Sequence, residues 1–297
     1  MKVLMLGDSQ VGKTTYMASM YGFMADDKGF NIAATRDADR KALDRLARRV
    51  RRGEYPSRSE FRSEYNFEFR YTADDGDRYS LFNFDWIDYR GGAIHQREND
   101  PIAADLSRYL NEAQALIVFW DCSTLDSNDR QIRRQWMRIK QLTLAYAARA
   151  NENNPLALTF LLTKQALIPD DWTETKIGAD LCNFIDMLAQ NQYLHGMAAC
   201  SEINEDSIGN VYFPFLHSMK FGFRDELNRR IARCERDHSA YYNRSIWGDI
   251  GVFFKGKDPE LNRLNASNAR MQELDVLFNS ALETLKEQDG EGGYFLF

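Results

Sequence analysis

Apolar residues along the chain fall into unbroken runs, alternating runs and helical stripes. Val3–Leu6, Ala115–Asp121 ("ALIVFWD", apolar through Trp120) and Leu156–Leu162 (apolar but for Thr159) are runs of strand length, the pattern of strands buried on both faces. Tyr65, Phe67, Phe69 and Tyr71 alternate with Asn66, Glu68 and Arg70, which predicts a strand with one face buried. "ADDGD" supplies turn chemistry after it, and Tyr79–Ile87 reads as a second, more buried strand, so the two form a hairpin. Helical spacing is expected from Thr14 through Tyr21, over Leu43–Arg52, through Ile132, Trp136, Ile139 and Leu142, and over Thr175–Leu188. Met271, Leu274, Phe278, Leu282 and Leu285 continue that spacing into a closing helix. Val211–His217 ("VYFPFLH") is read as the last core strand. Strands alternating with helices predict an α/β fold: a mostly parallel sheet, one antiparallel edge strand from the hairpin, and helices on both faces. Residues 1–222 form the core, and 223–297 an elaboration and closing helix of the same domain.

The first strand leads into Gly7-Asp8-Ser9-Gln10-Val11-Gly12-Lys13-Thr14-Thr15, which fits G-x-x-x-x-G-K-[ST] between a strand and a helix. Glycines let the backbone curl round an anion, and the helix N-terminus adds partial positive charge. Lys13 is expected to reach the terminal phosphates, and the Thr14 hydroxyl to ligate Mg²⁺. The fold class is thus a P-loop NTPase. The hairpin then runs into Asp88-Tyr89-Arg90-Gly91, an order that resembles that of regulatory GTPases and implies that the Asp would hold Mg²⁺ and the Gly amide would sense the γ-phosphate. Asp85 is a rival for the metal role but lacks the trailing glycine. A P-loop kinase is disfavoured by the hairpin, and an ATP-driven motor by size.

"KVLMLGDSQVGKTT" resembles the first motif of Ras- and Rab-like small GTPases, and "IDYRGG" their Asp-x-x-Gly segment. With "GEYPSRSE" (53–60) and the long hairpin, the chain is closer to bacterial TRAFAC-class GTPases of the double-GTPase type, over about residues 1–222. The resemblance implies further site residues. Ser59 falls where that family's Thr closes over Mg²⁺, with Ser57, Ser63 and the earlier Thr35 as alternatives. Thr163-Lys164-Gln165-Ala166 occupies the base-reading [NT]-K-x-D position, and Ser218-Met219-Lys220 the loop that contacts the base carbonyl. Ala166 stands where a carboxylate would read guanine, with Asp170 and Asp171 further along. Gly92 stands where Ras-like proteins carry the water-orienting Gln; His95 and Gln96 are the nearby substitutes. Arg58, Arg62 and Arg90 are candidates for neutralising transition-state charge.

Composition narrows the remaining choices. A net charge of −6 argues against a nucleic-acid surface, and the basic run "RLARRVRRG" (45–53) reads as a solvated helix face. No run approaches the ~20 apolar residues of a transmembrane helix. Cys122, Cys182, Cys200 and Cys234 lack CxxC spacing, so free thiols in a reducing cytoplasm are expected. The four histidines are scattered, which disfavours zinc. Two functions stay open. The first is a guanine-nucleotide switch with slow GTP hydrolysis that binds GTP or GDP with Mg²⁺ and signals to a protein effector or regulator through its switch loops. The second is a base-unselective nucleotide scaffold without turnover. Oligomeric state is not legible.

Overall fold

The computed structural model describes residues 1–25, 29–56, 63–72, 76, 78–89, 91–95, 101–124, 127–164, 179–203, 208–209, 211–212, 214–220, 269, 273, 276 and 294–296. The strands are β1 (Lys2–Leu6), β2 (Gly29–Ala34), β3 (Ser63–Thr72), β4 (Arg78–Asp88), β5 (Ala115–Asp121), β6 (Leu156–Thr163), β7 (Leu194–Ile203), β8 (Ile208–Gly209) and β9 (Tyr294–Leu296). The helices are α1 (Lys13–Met24), α2 (Asp37–Val50), α3 (Pro101–Glu112), α4 (Arg130–Ala147) and α5 (Ala179–Ala189). The sheet order is β2-β3-β4-β1-β5-β6-β7-β8, with β9 also on β7.

From β4 to β7 every neighbour is parallel, as in a P-loop α/β fold. Every residue of β6 is buried, because helices cover the sheet on both sides. Tyr16 and Leu43 from α1 and α2 join the core on one face; Leu106, Ile139 and Leu181 from α3, α4 and α5 join it on the other. The hairpin forms as expected: β3 pairs antiparallel with β4, and Phe67 and Phe69 point into the core while Glu64 is exposed. The antiparallel edge is more elaborate than the sequence suggests, since β2 pairs outside β3 from Gly29 opposite Thr72 to Ala34 opposite Phe67.

The expected strand at Val211–His217 is a correction. Residues 214–220 are helical, and β7 is the last parallel strand. Val211, Phe215 and Met219 recur at helical spacing and are buried, and Phe215 stacks on Trp86 at 5.7 Å between ring centroids. The short apolar run rich in aromatics imitated a buried strand, whereas Pro214 suits a helix's first turn. The β7 sequence "LHGMAACSEI" hides its strand because Gly and Ala carry little strand propensity. Residues 221–268 and most of the expected closing helix lie outside the described residues. The C-terminal strand β9 pairs antiparallel with β7, Phe295 opposite Ala198.

Candidate phosphate-binding site

The site sits at the C-terminal end of the parallel strands, where open α/β sheets bind ligands. β1 ends at Leu6 and the chain turns through 7–12 into α1. Gln10 (φ 67°) and Gly12 (φ 91°) both take the left-handed conformation that curls successive amides inward. No side chain caps α1, so its first-turn N–H groups face the loop. Gly7 is required sterically: a Cβ there would lie 2.8 Å from the Phe119 carbonyl oxygen.

Lys13 is buried, and its ammonium donates to the carbonyls of Gly7 at 2.8 Å and Asp8 at 2.7 Å. Burial pushes its pKa down, opposed by the nearby carboxylates of Asp88 and Asp8. The Thr14 hydroxyl donates to Asp88 Oδ2 at 2.6 Å. Asp88 ends β4 and is buried; burial raises its pKa, against the pull of Lys13 and Thr14. A buried carboxylate beside a threonine hydroxyl is a pair of hard oxygen donors, the set that suits Mg²⁺. Asp85, by contrast, accepts from Asn66 Nδ2 at 2.8 Å on the hairpin.

Gly91 opens a short 3₁₀ turn, Gly91–His95, pressed against the phosphate loop. A Cβ on Gly91 would lie 2.2 Å from Ser9 N and 2.4 Å from the Asp8 carbonyl carbon. Thr163, at the end of β6, donates its hydroxyl to the Val11 carbonyl at 2.8 Å and lies 3.2 Å from the Trp120 carbonyl oxygen. The structure therefore brings together residues 7–14, Asp88 with Gly91, and Thr163, which come from three separate stretches of the chain. Thr15 is half-buried in the first turn of α1.

Lys164 follows at φ 59°, its ammonium 2.5 Å from Asp121 Oδ2. Asp121 was missed by sequence reasoning, although an acidic residue ending a buried strand at the ligand edge was a signal for it. The loop assigned to Ser218-Met219-Lys220 is a further correction. Ser218 and Met219 are fully buried within the helical segment, and Ser218 Oγ donates to the Pro214 carbonyl at 3.0 Å. That hydroxyl satisfies its own helix. Thr35 is likewise engaged, its Oγ1 2.8 Å from Asn66 Oδ1. Ser57, Ser59, Arg58, Arg62, Arg90, Gln96, Gln165, Ala166, Asp170 and Asp171 lie outside the described residues, as do the side chains of Ser63 and His95.

A phosphate loop, an Asp-x-x-Gly turn against it and a threonine clamp behind it define a P-loop GTPase of the Ras-like type. Residues 4–195 match the family model for Double-GTPase 1, and the chain belongs to that family. Among solved structures it is similar to a chain of the "Signal recognition particle receptor SRb-GTP/SRX complex" from Chaetomium thermophilum. That chain is 14% identical, with 74% of this chain and 89% of that one covered and a TM-score of 0.39. No curated protein matches. GTP binding follows from family membership. Among the described residues no helix is long and apolar enough to cross a membrane.

Proposed function

We infer that the protein is a guanine-nucleotide switch in which the occupant of the phosphate loop sets the position of the Gly91 turn. The observation that carries this reading is the contact of Gly91 with Asp8 and Ser9. A glycine pressed on the loop backbone cannot stay indifferent to a γ-phosphate held by the same loop. Gly7 through Thr15 bind the phosphates, with Lys13 supplying charge, and Thr163 and Lys164 face the base side. Thr14 and Asp88, with Ser59, would hold Mg²⁺, which supplies neutralisation of phosphate charge. Hydrolysis is slow, because Gly92 replaces the water-orienting Gln and leaves His95 or Gln96 to serve. The segment around Ser59 and the Gly91 turn then present the nucleotide state to a protein effector or regulator in the cytoplasm. Residues 1–222 carry the switch, and 223–297 complete the same domain. A second reading, a base-unselective scaffold with little turnover, draws on Ala166 and Gly92.

Calorimetry with GTP, GDP and ATP, with and without Mg²⁺, tests this on wild type and Lys13→Ala. Wild type should bind GTP more tightly with Mg²⁺, and the variant should lose triphosphate binding with its fold intact. Equal binding by the variant would make the phosphate-loop assignment wrong.

A further inference from the structure

Helix α4, Arg130–Ala147, contains no Asp or Glu. The carboxylate just before it, Asp129, is turned in to cap the helix and accepts from Gln131 N at 2.6 Å. Its inner face, Ile139, Thr143, Tyr146 and Ala147, is buried. Arg130, Arg134, Met137, Gln141 and Leu144 recur at helical spacing on the outer face, and all are exposed. Arg130 and Arg134 have no ion-pair partner among the described residues. Arg133 and Arg138 bond to side-chain amides, those of Asn128 and Gln141. Met137 is 56% exposed and Leu144 40%.

Helix α5 runs alongside. Trp136 Nε1 and Lys140 Nζ each donate to Asp180 at 2.6 Å, and the Lys140 ammonium lies 5.3 Å from the Phe184 ring centroid. One turn further along each helix lie Leu144 and Met187, the latter 43% exposed. An ordinary solvated helix mixes its charges. α2 does so, with Arg40 paired to Asp37 at 2.8 Å and Arg49 to Glu54 at 3.4 Å. α4 instead combines Arg130 and Arg134, without an ion-pair partner among the described residues, with exposed methionine and leucine. Arg and Met are the types enriched where proteins dock. Arg grips carboxylates with two parallel hydrogen bonds, and Met adapts its shape to an apolar partner.

We propose that the outer face of α4, extended by Met187, docks an acidic amphipathic helix of a protein partner. The partner's apolar row covers Met137, Leu144 and Met187, and its flanking carboxylates meet Arg130, Arg134 and Arg138. An anionic bilayer suits the face less well, because Asp186 is exposed beside Met187 and would meet the headgroup phosphates. A nucleic acid would leave the methionines unused and would meet a chain of net charge −6. This surface does not depend on the nucleotide reading.

The test titrates the full chain, at low salt, with a synthetic helical peptide of about 20 residues bearing one leucine row flanked by glutamates. The same peptide with glutamine for glutamate, or with its glutamates scattered round the helix, serves as control. Binding should saturate, weaken with salt and fall at least about tenfold for either control. The double variant Arg134→Glu/Met137→Ser should bind at least about tenfold more weakly, with an unchanged melting temperature because both positions are exposed. Arg45→Glu/Arg48→Glu on α2 should bind as wild type does. The proposal is overturned if wild type shows no saturable binding or binds both controls equally well. It also fails if wild type prefers phosphatidylserine vesicles or a DNA duplex, or if the α2 variant loses as much affinity. A wild-type dimer in sedimentation that the α4 variant dissociates would overturn it too, by making the occupant a second copy.

Discussion

The Thr163 hydroxyl donates to the Val11 carbonyl at 2.8 Å, so the end of β6 holds the phosphate loop from behind. Two motifs more than a hundred residues apart are thereby a single mechanical unit. Thr163→Val keeps the shape and removes the donor, leaving a buried carbonyl short of a partner at a cost of about 1–3 kcal/mol. The expected outcome is a melting temperature lower by several degrees and nucleotide affinity weaker by about tenfold. Thr163→Ser should restore both. Equal affinity for the Val variant in calorimetry would mean that the clamp does not shape the loop.

Gly91 has no room for a side chain, since a Cβ would sit 2.2 Å from a backbone nitrogen that cannot swing aside. Gly91→Ala must displace the 3₁₀ turn or the loop. The turn is short and joins no strand pairing, so the fold should persist while discrimination between GTP and GDP collapses. Measured affinities for the two nucleotides decide it. A variant that still separates them as wild type does would detach Gly91 from the phosphate.

Burial pushes the Asp88 carboxyl above its ordinary 3.8 and outweighs the pull of Lys13 and Thr14. Between 3.8 and that raised value the native chain binds more protons than the unfolded one, so stability falls as pH rises through the window. Above the window the burden is fully present. Asp88→Asn should therefore melt higher than wild type at pH 7 in chelator, and the gap should close as pH drops below about 4. The same variant should lose the Mg²⁺ dependence of nucleotide binding, which Asp85→Asn should keep. A gap that widens in acid would contradict the assignment of the burden to Asp88.

Much of this site was legible because its chemistry is local. Gly7 through Thr14 declare a loop by spacing alone, and Asp88 follows a hairpin whose alternation is plain. The buried runs at 115–121 and 156–162 fix two parallel strands almost to the residue. What failed depended on tertiary context. Residues 211–217 form an aromatic-rich apolar run of strand length, yet Phe215 finds its partners, Trp86 and Phe84, by lying on the sheet as a helix. β7 is built of small residues whose strand character comes only from pairing with β6 and β9. The pairing of Lys164 with Asp121 joins the ends of two neighbouring strands, which no spacing rule announces.

That pair bears on base selectivity. Lys164 is held against Asp121, and in the proposed reading its aliphatic stem lies along the purine plane, a contact that does not choose between guanine and adenine. The residue two positions on is Ala166, where a carboxylate would accept from guanine N1–H and N2–H₂ and find no such donors on adenine. Ala166→Asp would add two charge-assisted hydrogen bonds, each worth roughly 1.5–3 kcal/mol before solvent reduces it. The preference for GTP over ATP should rise at least about tenfold, since each 1.4 kcal/mol is a factor of ten. Competition of the two nucleotides for wild type and variant measures it directly. A wild-type chain that already prefers GTP by about a hundredfold, with no gain in the variant, would place base reading in another residue. Asp170 or Asp171 would then be next to test.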